Sequence, residues 1–540
     1  MTAEPRLVKR ACRFETGLFL AVWLALAVAG RASYFDDPGE LWHIVVGERI
    51  LSSGELVRTD PFSFTAAGQP WTPQSWLFEC ALAALHRLGG LDAVMLATSV
   101  LIAALFAGIG RRLCRAGIHP LIVLLLVGLA LDASAYHLQP RPLLVTIVLL
   151  AWTFSRLCDA EAARIPLSRL AWLVPVFVLW TNVHGGVVGG MGTVAAVVAG
   201  WAVAWRFGQP SPLDRRAQAI ALIALTLTCA ATALVNPYGF AMPRVWFSLM
   251  GSPVLPRLMQ EHMPLRAFPA EAAMVLLLGG VYVAALAGVA PRQLRVTWLI
   301  PLVWLGMAWT RIRHGPLFAV TGVIALGEML PHVRWVAWLA RRGSIACRIR
   351  PSSLDRPSGD WRPALLPVAV VLAALALQFA GISLPILGRG WARLDPRVSP
   401  VDLLPEIHAR AREPTDGTPI FNDMLYGGFL IYSAPEFRVF IDDRCELYGD
   451  SMLEAYADAA FRHPERIDQW ARQYGFELAL VRIDSRFDEY LARAAGWSVA
   501  ARGVTSVLYR RVPGRPLVGS VKKDHDDVIP VGLPPLGEQR

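Results

Sequence analysis

Residues Tyr34–His43 read YFDDPGELWH. Three carboxylates, Asp36, Asp37 and Glu40, and one imidazole, His43, stand directly behind an apolar run, near 15–32, of a length that spans a bilayer. The next stretch, ELWHIVVGERILSS (40–53), puts Leu41, Ile44 and Val45 on one side and Trp42, Val46 and Ile50 on another. That spacing predicts a short helix along the membrane surface, with Trp42 at the interface. Pro38 and the acidic residues before it suit a helix start. The carboxylates therefore have two readings: capping and hydration of a helix end, or chemistry at the outer membrane surface.

Outward from this stretch the chain is apolar. It has 540 residues, 55% hydrophobic and 17% charged, with a mean hydropathy of +0.43. Soluble domains carry roughly 25% charged residues, so this is the profile of a many-span membrane protein with some soluble mass. The net charge of +10 comes from arginines in short clusters between apolar runs, the pattern of membrane topology. No basic face interleaved with aromatics is present, which excludes a nucleic-acid partner. Seven cysteines are scattered without a CxxC pair, so neither a disulfide framework nor a zinc site of the usual spacing is expected. Arg6, Lys9, Arg10 and Arg13 before the first run have the form of a signal peptide, but the run reads as a retained first span.

The expected fold is mainly α: a polytopic helical bundle of about eleven spans with a C-terminal soluble α/β domain. The runs lie near 15–32, 93–111, 118–134, 142–158, 168–182, 185–205, 217–235, 270–289, 295–310, 315–331 and 363–384. Residues 75–86, with Glu79 and His86, read as interfacial. Arginines such as Arg111, Arg112, Arg156, Arg164, Arg206, Arg292 and Arg295 fall in alternate loops. The positive-inside rule then puts the N-terminus in the cytoplasm and everything after 385 outside a bacterial inner membrane. The division expected is a membrane domain over 1–384, including a long first outer loop (32–92), an extracytoplasmic α/β domain over 385–512 and a disordered tail over 513–540, with the loop 343–362 similarly loose. TPIFND, FRVFID, LALVRI and SVLYRRV read as strands; DSMLEAYADAAFR, RIDQWARQY and FDEYLARAAG read as amphipathic helices.

Chemically capable residues gather at the outer ends: YHLQPRP with Arg141, NVHGG with Asn182 and His184, then Arg244, Glu261 and His262, then RIRHG with Arg311, Arg313 and His314. Each has a plain reading as turn punctuation or a snorkelling side chain. Arginine on the outer side nevertheless runs against the positive-inside bias, and a lipid phosphate, which a guanidinium binds with a two-pronged fork, is one reason for it to be there. In the soluble domain Asn422, Asp423, Asp442, Asp443 and Arg444 fall at strand ends, where they either cap turns or line a site. Walker A, GxGxxG, serine-elbow and HExxH motifs are absent.

The segment GELWHIVVGERILSSGELVRTDPFSFT (Gly39–Thr65) resembles the first outer loop of the GT-C superfamily of many-span glycosyltransferases, which includes protein O-mannosyltransferases and lipid A aminoarabinose transferases. Glu40 falls on the superfamily's second acidic position, Leu51 and Gly54 on a Leu-x-x-Gly, and Asp60-Pro61 on a later Asp-Pro. Nearly the whole chain also resembles a group of bacterial membrane proteins with DPDLWWHL, N-HGG, NPYG and VFIDGR motifs, matched here by DPGELWHI, NVHGG, NPYGF and VFIDDR. The resemblance implies an inverting glycosyltransferase that takes sugar from a polyprenyl-phosphate or pyrophosphate donor at the extracytoplasmic face. The acceptor would be an envelope glycan, lipid or protein. By the same resemblance Asp37, Glu40 and Asp36 are the catalytic candidates. His43, Arg141, Asn182, His184, Arg244, Glu261, Arg311, Arg313 and His314 are the substrate-binding candidates. No metal ligand is assigned, and a divalent metal cofactor is left open. Gly39 stands where the superfamily has its first Asp; a one-residue shift on a helix turns a side chain by about 100°. The competing functions are an O-antigen ligase or polymerase, and a non-catalytic transporter or scaffold.

Overall fold

The helix Gly315–Met329 is buried at every one of its 15 residues. A helix apolar on all sides belongs at the centre of a bundle, and the helices Pro120–Asp132, Pro142–Glu161, Pro269–Ala287 and Ile300–Thr310 pack around it. Pro316 starts it, where a missing N–H costs nothing. Peripheral helices instead leave Ile220, Leu227, Leu276 and Leu277 exposed, as suits surfaces solvated by lipid tails. Small residues allow the close approaches: a Cβ on Gly190 would lie 2.4 Å from the Trp180 ring.

The computed structural model describes residues 13–341 and 364–515, apart from Gly30, Ala32, Pro38, 385–388 and 412–416. The expectations for Arg6, Lys9 and Arg10, for Pro38, for the loop 343–362 and for most of the tail over 513–540 lie outside the described residues. The chain divides into two compact units. The first contains 13–31, 92–243 and 261–391; the second contains 33–91, 244–260 and 392–515. The first outer loop thus belongs with the C-terminal α/β region rather than with the helical bundle.

In the first unit a helix covers most of each predicted apolar run. Five helices of the described residues are long and apolar enough to cross a membrane: Trp76–Arg115, Pro142–Glu161, Val187–Arg206, Arg216–Leu234 and Pro269–Ala287. Shorter apolar helices, among them Phe14–Val28, Pro120–Asp132 and Leu365–Phe379, occupy other runs. The 40-residue helix is broken at Gly89 and Gly90, the latter at φ 63°, a conformation that favours glycine. Everything before the break is a separate, more polar helix. At one end of the bundle Glu328 takes hydrogen bonds from Arg112, Arg164 and Arg295, and Asp159 from Arg112 and Arg164. Arginines that read as topology signals thus also tie helices together.

The second unit is built on a five-stranded sheet of order β2-β1-β3-β5-β4. The strands are β1 (Thr418–Asn422), β2 (Phe437–Val439), β3 (Leu478–Arg482), β4 (Trp497–Arg502) and β5 (Ser506–Arg511). β1 runs parallel to β2 and β3, and β5 antiparallel to β3 and β4. β4 and the helix Gly427–Ser433 between β1 and β2 were not predicted. The first loop completes the sheet. Phe64 N–H donates to Val439 O at 3.1 Å, and Val439 N–H to Phe62 O at 3.1 Å. Loop residues thereby cover the free edge of β2, which would otherwise expose unpaired backbone groups.

Candidate active site

In the helical unit a cluster forms where several helices end. Arg141 is the N-cap of Pro142–Glu161 and His184 the C-cap of Leu173–Val183. Glu261 and His262 sit in a short 3-10 turn, and Arg313 and His314 in the turn that leads into the central helix. Arg141 donates to Glu261 at 3.2 Å, and Arg313 approaches the other carboxylate oxygen at 3.6 Å. Arg313 Nη1 lies 2.8 Å from His262 Nε2, and Arg311 Nη1 3.3 Å from His262 Nδ1. Both guanidiniums are donors only, whereas a neutral imidazole offers one acceptor. Among these described residues three guanidiniums accompany one carboxylate, so this set is net positive and rich in N–H donors.

The electrostatics follow from this crowding. Burial pushes the Glu261 carboxyl up, but Arg313 and Arg141 outweigh it and hold it well below the usual carboxylate range. Burial, with Arg313 next, pushes His184 down to about 3. Burial likewise takes His137 down to about 3 and His314 to about 4. These imidazoles are neutral near pH 7. Thr146 Oγ1 accepts from Trp180 Nε1 at 2.8 Å and lies 2.8 Å from His184 Nδ1. Gly186 N–H donates to the same Nδ1 at 3.3 Å. With Nδ1 accepting, the His184 proton belongs on Nε2, which makes that atom a neutral donor. Asn182 is engaged structurally: its amide donates to Val178 O and Val235 O.

The second unit holds the opening stretch. Asp37 Oδ1 accepts the Gly39 N–H at 2.9 Å, so Asp37 caps the helix Gly39–Ser53. Glu40 is buried at 1% exposure. Asp36 is half-buried; burial first, then Asp395 and Asp37, raise it to about 6, against the pull of Arg397. His43 Nδ1 meets Glu79 Oε1 at 3.0 Å beneath the Trp42 ring. Burial, then Glu446, pushes the Glu79 carboxyl well up. Gly47, one turn further along the same helix face, is pressed on this second helix: a Cβ there would lie 1.9 Å from Glu79 O. Arg244 is exposed on the helix Ala241–Gly251 of this unit.

The residues at the strand ends hold the fold. Asn422 bridges β1 to the end of β2 through Phe440 N–H and Ile441 O. Arg444, fully buried, binds Asp442 at 2.6 and 2.8 Å and Asp60 at 2.7 Å. Trp42 Nε1 donates to Asp443 at 2.7 Å and Trp71 Nε1 to Glu446 at 3.0 Å. Sequence reasoning did not select His137, Thr146, Glu79 or Glu446, and left His262 out of the binding set. Two of these carried a signal: His137 stood in YHLQPRP and His262 beside Glu261. Among the described residues no group of three or more His, Cys, Asp or Glu side chains is placed to hold a metal ion.

No family model and no curated protein sequence matches the chain. Its fold does have counterparts among solved structures. One is ArnT from Cupriavidus metallidurans, solved bound to undecaprenyl phosphate, with a TM-score of 0.50 and 16% identity over 96% of this chain and 100% of that one. Another is the archaeal oligosaccharyltransferase AglB from Archaeoglobus fulgidus, solved with an inhibitory peptide and a dolichol-phosphate. Its TM-score is 0.52 and its identity 11%, over 87% of this chain and 70% of that one.

Proposed function

We propose that the protein is a glycosyltransferase that takes a sugar from a polyprenyl-phosphate carrier at the extracytoplasmic face and transfers it to an envelope acceptor. The observation that carries this reading is the net-positive cluster of Arg141, Arg311 and Arg313 around Glu261 and His262. Guanidiniums and neutral imidazole donors held together at helix ends bind a phosphate, and stabilise it more as it gains charge on leaving. The two counterparts were solved with lipid phosphates, which supports the same ligand class here. The topology that goes with this reading has about eleven spans, a cytoplasmic N-terminus and an extracytoplasmic α/β domain.

In this mechanism the acceptor hydroxyl attacks the anomeric carbon. The bond from that carbon to the phosphate oxygen breaks, the polyprenyl phosphate leaves with the electron pair, and the configuration inverts. The proton passes to a carboxylate. Asp36 suits that role best: it is half-buried and raised to about 6, close to the working pH of a general base. Asp37 Oδ1 accepts the Gly39 N–H, and Glu40 is 1% exposed. Binding of a short-chain polyprenyl phosphate to the purified protein in lipid tests the phosphate role. The expected result is saturable binding, weakened about tenfold or more by Arg313→Gln or Arg141→Gln. Binding unchanged in both variants would remove the basis of the reading.

A further inference from the structure

At the end of the helical unit that carries Arg13, Arg111 and Arg112, three helices enclose a cavity of about 510 Å³. The helices are Phe14–Ala29, the part of Trp76–Arg115 after the glycine break, and Leu365–Phe379. The walls are almost wholly apolar, with Phe19, Ala107, Gly108 and Leu372 among them. Gly108 leaves room: a Cβ there would meet nothing within 4 Å. The mouth is charged. Arg13 and Arg111 line it together with Glu15, and the Arg111–Glu15 approach is long, 3.9 Å. Among the described lining residues two guanidiniums stand with one carboxylate.

An apolar cavity that also carries two arginines matches one kind of amphiphile, an acyl chain below an anionic headgroup. We infer that this cavity is a binding site for an anionic phospholipid, its phosphate on Arg13 and Arg111 and one acyl chain between the three helices. The two guanidiniums favour an anionic lipid over a zwitterionic one of the same chain length. Under the positive-inside rule they face the inner leaflet. The site uses none of the residues assigned to glycosyl transfer, so it stands or falls separately from that activity.

Native mass spectrometry of the full chain, released from nanodiscs that contain equal phosphatidylglycerol and phosphatidylcholine, reads the occupant directly. The expected result is retained phosphatidylglycerol in clear excess over phosphatidylcholine. Arg13→Gln/Arg111→Gln should reduce that retention about tenfold or more, two guanidinium contacts being lost. Gly108→Leu should also reduce it, by filling the slot while favouring helix, with an unchanged thermal transition. Equal retention of the two lipids by the wild-type protein, occupancy of the slot by the chain's own N-terminal segment, or phosphatidylglycerol retention unaffected by Gly108→Leu and by the double variant would each overturn the inference.

Discussion

Arg444 Nη1 binds Asp60 Oδ1 at 2.7 Å across 384 residues of chain, with both side chains wholly buried. The same guanidinium holds Asp442 and lies over the rings of Trp71 and Phe62, at 4.6 and 5.2 Å from their centroids. The first outer loop and the C-terminal sheet therefore form one folded body. Removing one member of a buried ion pair leaves charge without compensation, at about 3–5 kcal/mol. Arg444→Met is expected to cost that much, visible as a lower thermal transition of the purified protein. Asp60→Asn, which keeps shape and a hydrogen-bonding group, should cost less. Equal transitions in wild type and Arg444→Met would show that the pairing is incidental.

Gly47 offers a steric test of the same unit. Its missing Cβ lets the helix Gly39–Ser53 lie against the backbone of Glu79. Gly47→Ala must push the two helices apart. Overpacking of this kind typically costs about 1–3 kcal/mol, although alanine is the better helix former by roughly 1 kcal/mol. A net loss of thermal stability is expected, visible as a lower thermal transition of the purified protein.

The pH dependence of turnover should report Asp36. Its carboxyl is raised to about 6, so the proton-accepting form grows in as pH rises through that value. Activity is predicted to climb between about pH 5 and 7. Asp395 raises Asp36 and Arg397 lowers it. Asp395→Asn should therefore move the rising limb to lower pH, and Arg397→Gln should move it to higher pH. A limb that ignores both changes would assign the proton to another group.

The phosphate role predicts a pattern among the arginines. Arg313 contacts His262 and approaches Glu261, so Arg313→Gln should lower kcat/KM for the donor by about a hundredfold, the size expected for one donor to a charged leaving group. Arg244, exposed on a helix of the other unit, should tolerate Arg244→Gln within about twofold. Comparable losses at the two positions, measured by donor turnover, would argue for general electrostatics instead of a defined site.

How far the sequence carries is visible in particular residues. The apolar runs locate helices because a span must satisfy every backbone group within itself, and strands such as Leu478–Arg482 follow from a short, continuous apolar run between polar residues. β4, WSVAAR, lacks a strong alternation, and the helix Gly427–Ser433 opens on two glycines, so local signals understate both. The joining of the first loop to the sheet rests on a contact as distant as Asp60 to Arg444, which no local pattern encodes. Glu328 sat in an apolar run and gave no sign of binding three arginines. In the candidate site, the motif residues Arg141, His184 and Arg313 could be picked out by their place at the ends of predicted apolar runs. Asp37 and Asp36 read alike in the sequence; the structure adds that Asp37 Oδ1 accepts the Gly39 N–H.

The central claim is transfer of a sugar from a polyprenyl-phosphate carrier. Its most direct test is mass-spectrometric detection of free polyprenyl phosphate when the protein, reconstituted in vesicles, is given short-chain polyprenyl-phosphate sugars and envelope acceptors. The account predicts time-dependent release of polyprenyl phosphate with matching gain of sugar on the acceptor, abolished by Asp36→Asn and strongly reduced by Arg313→Gln. Folded protein that releases none from any donor, or releases it equally well in both variants, would contradict it.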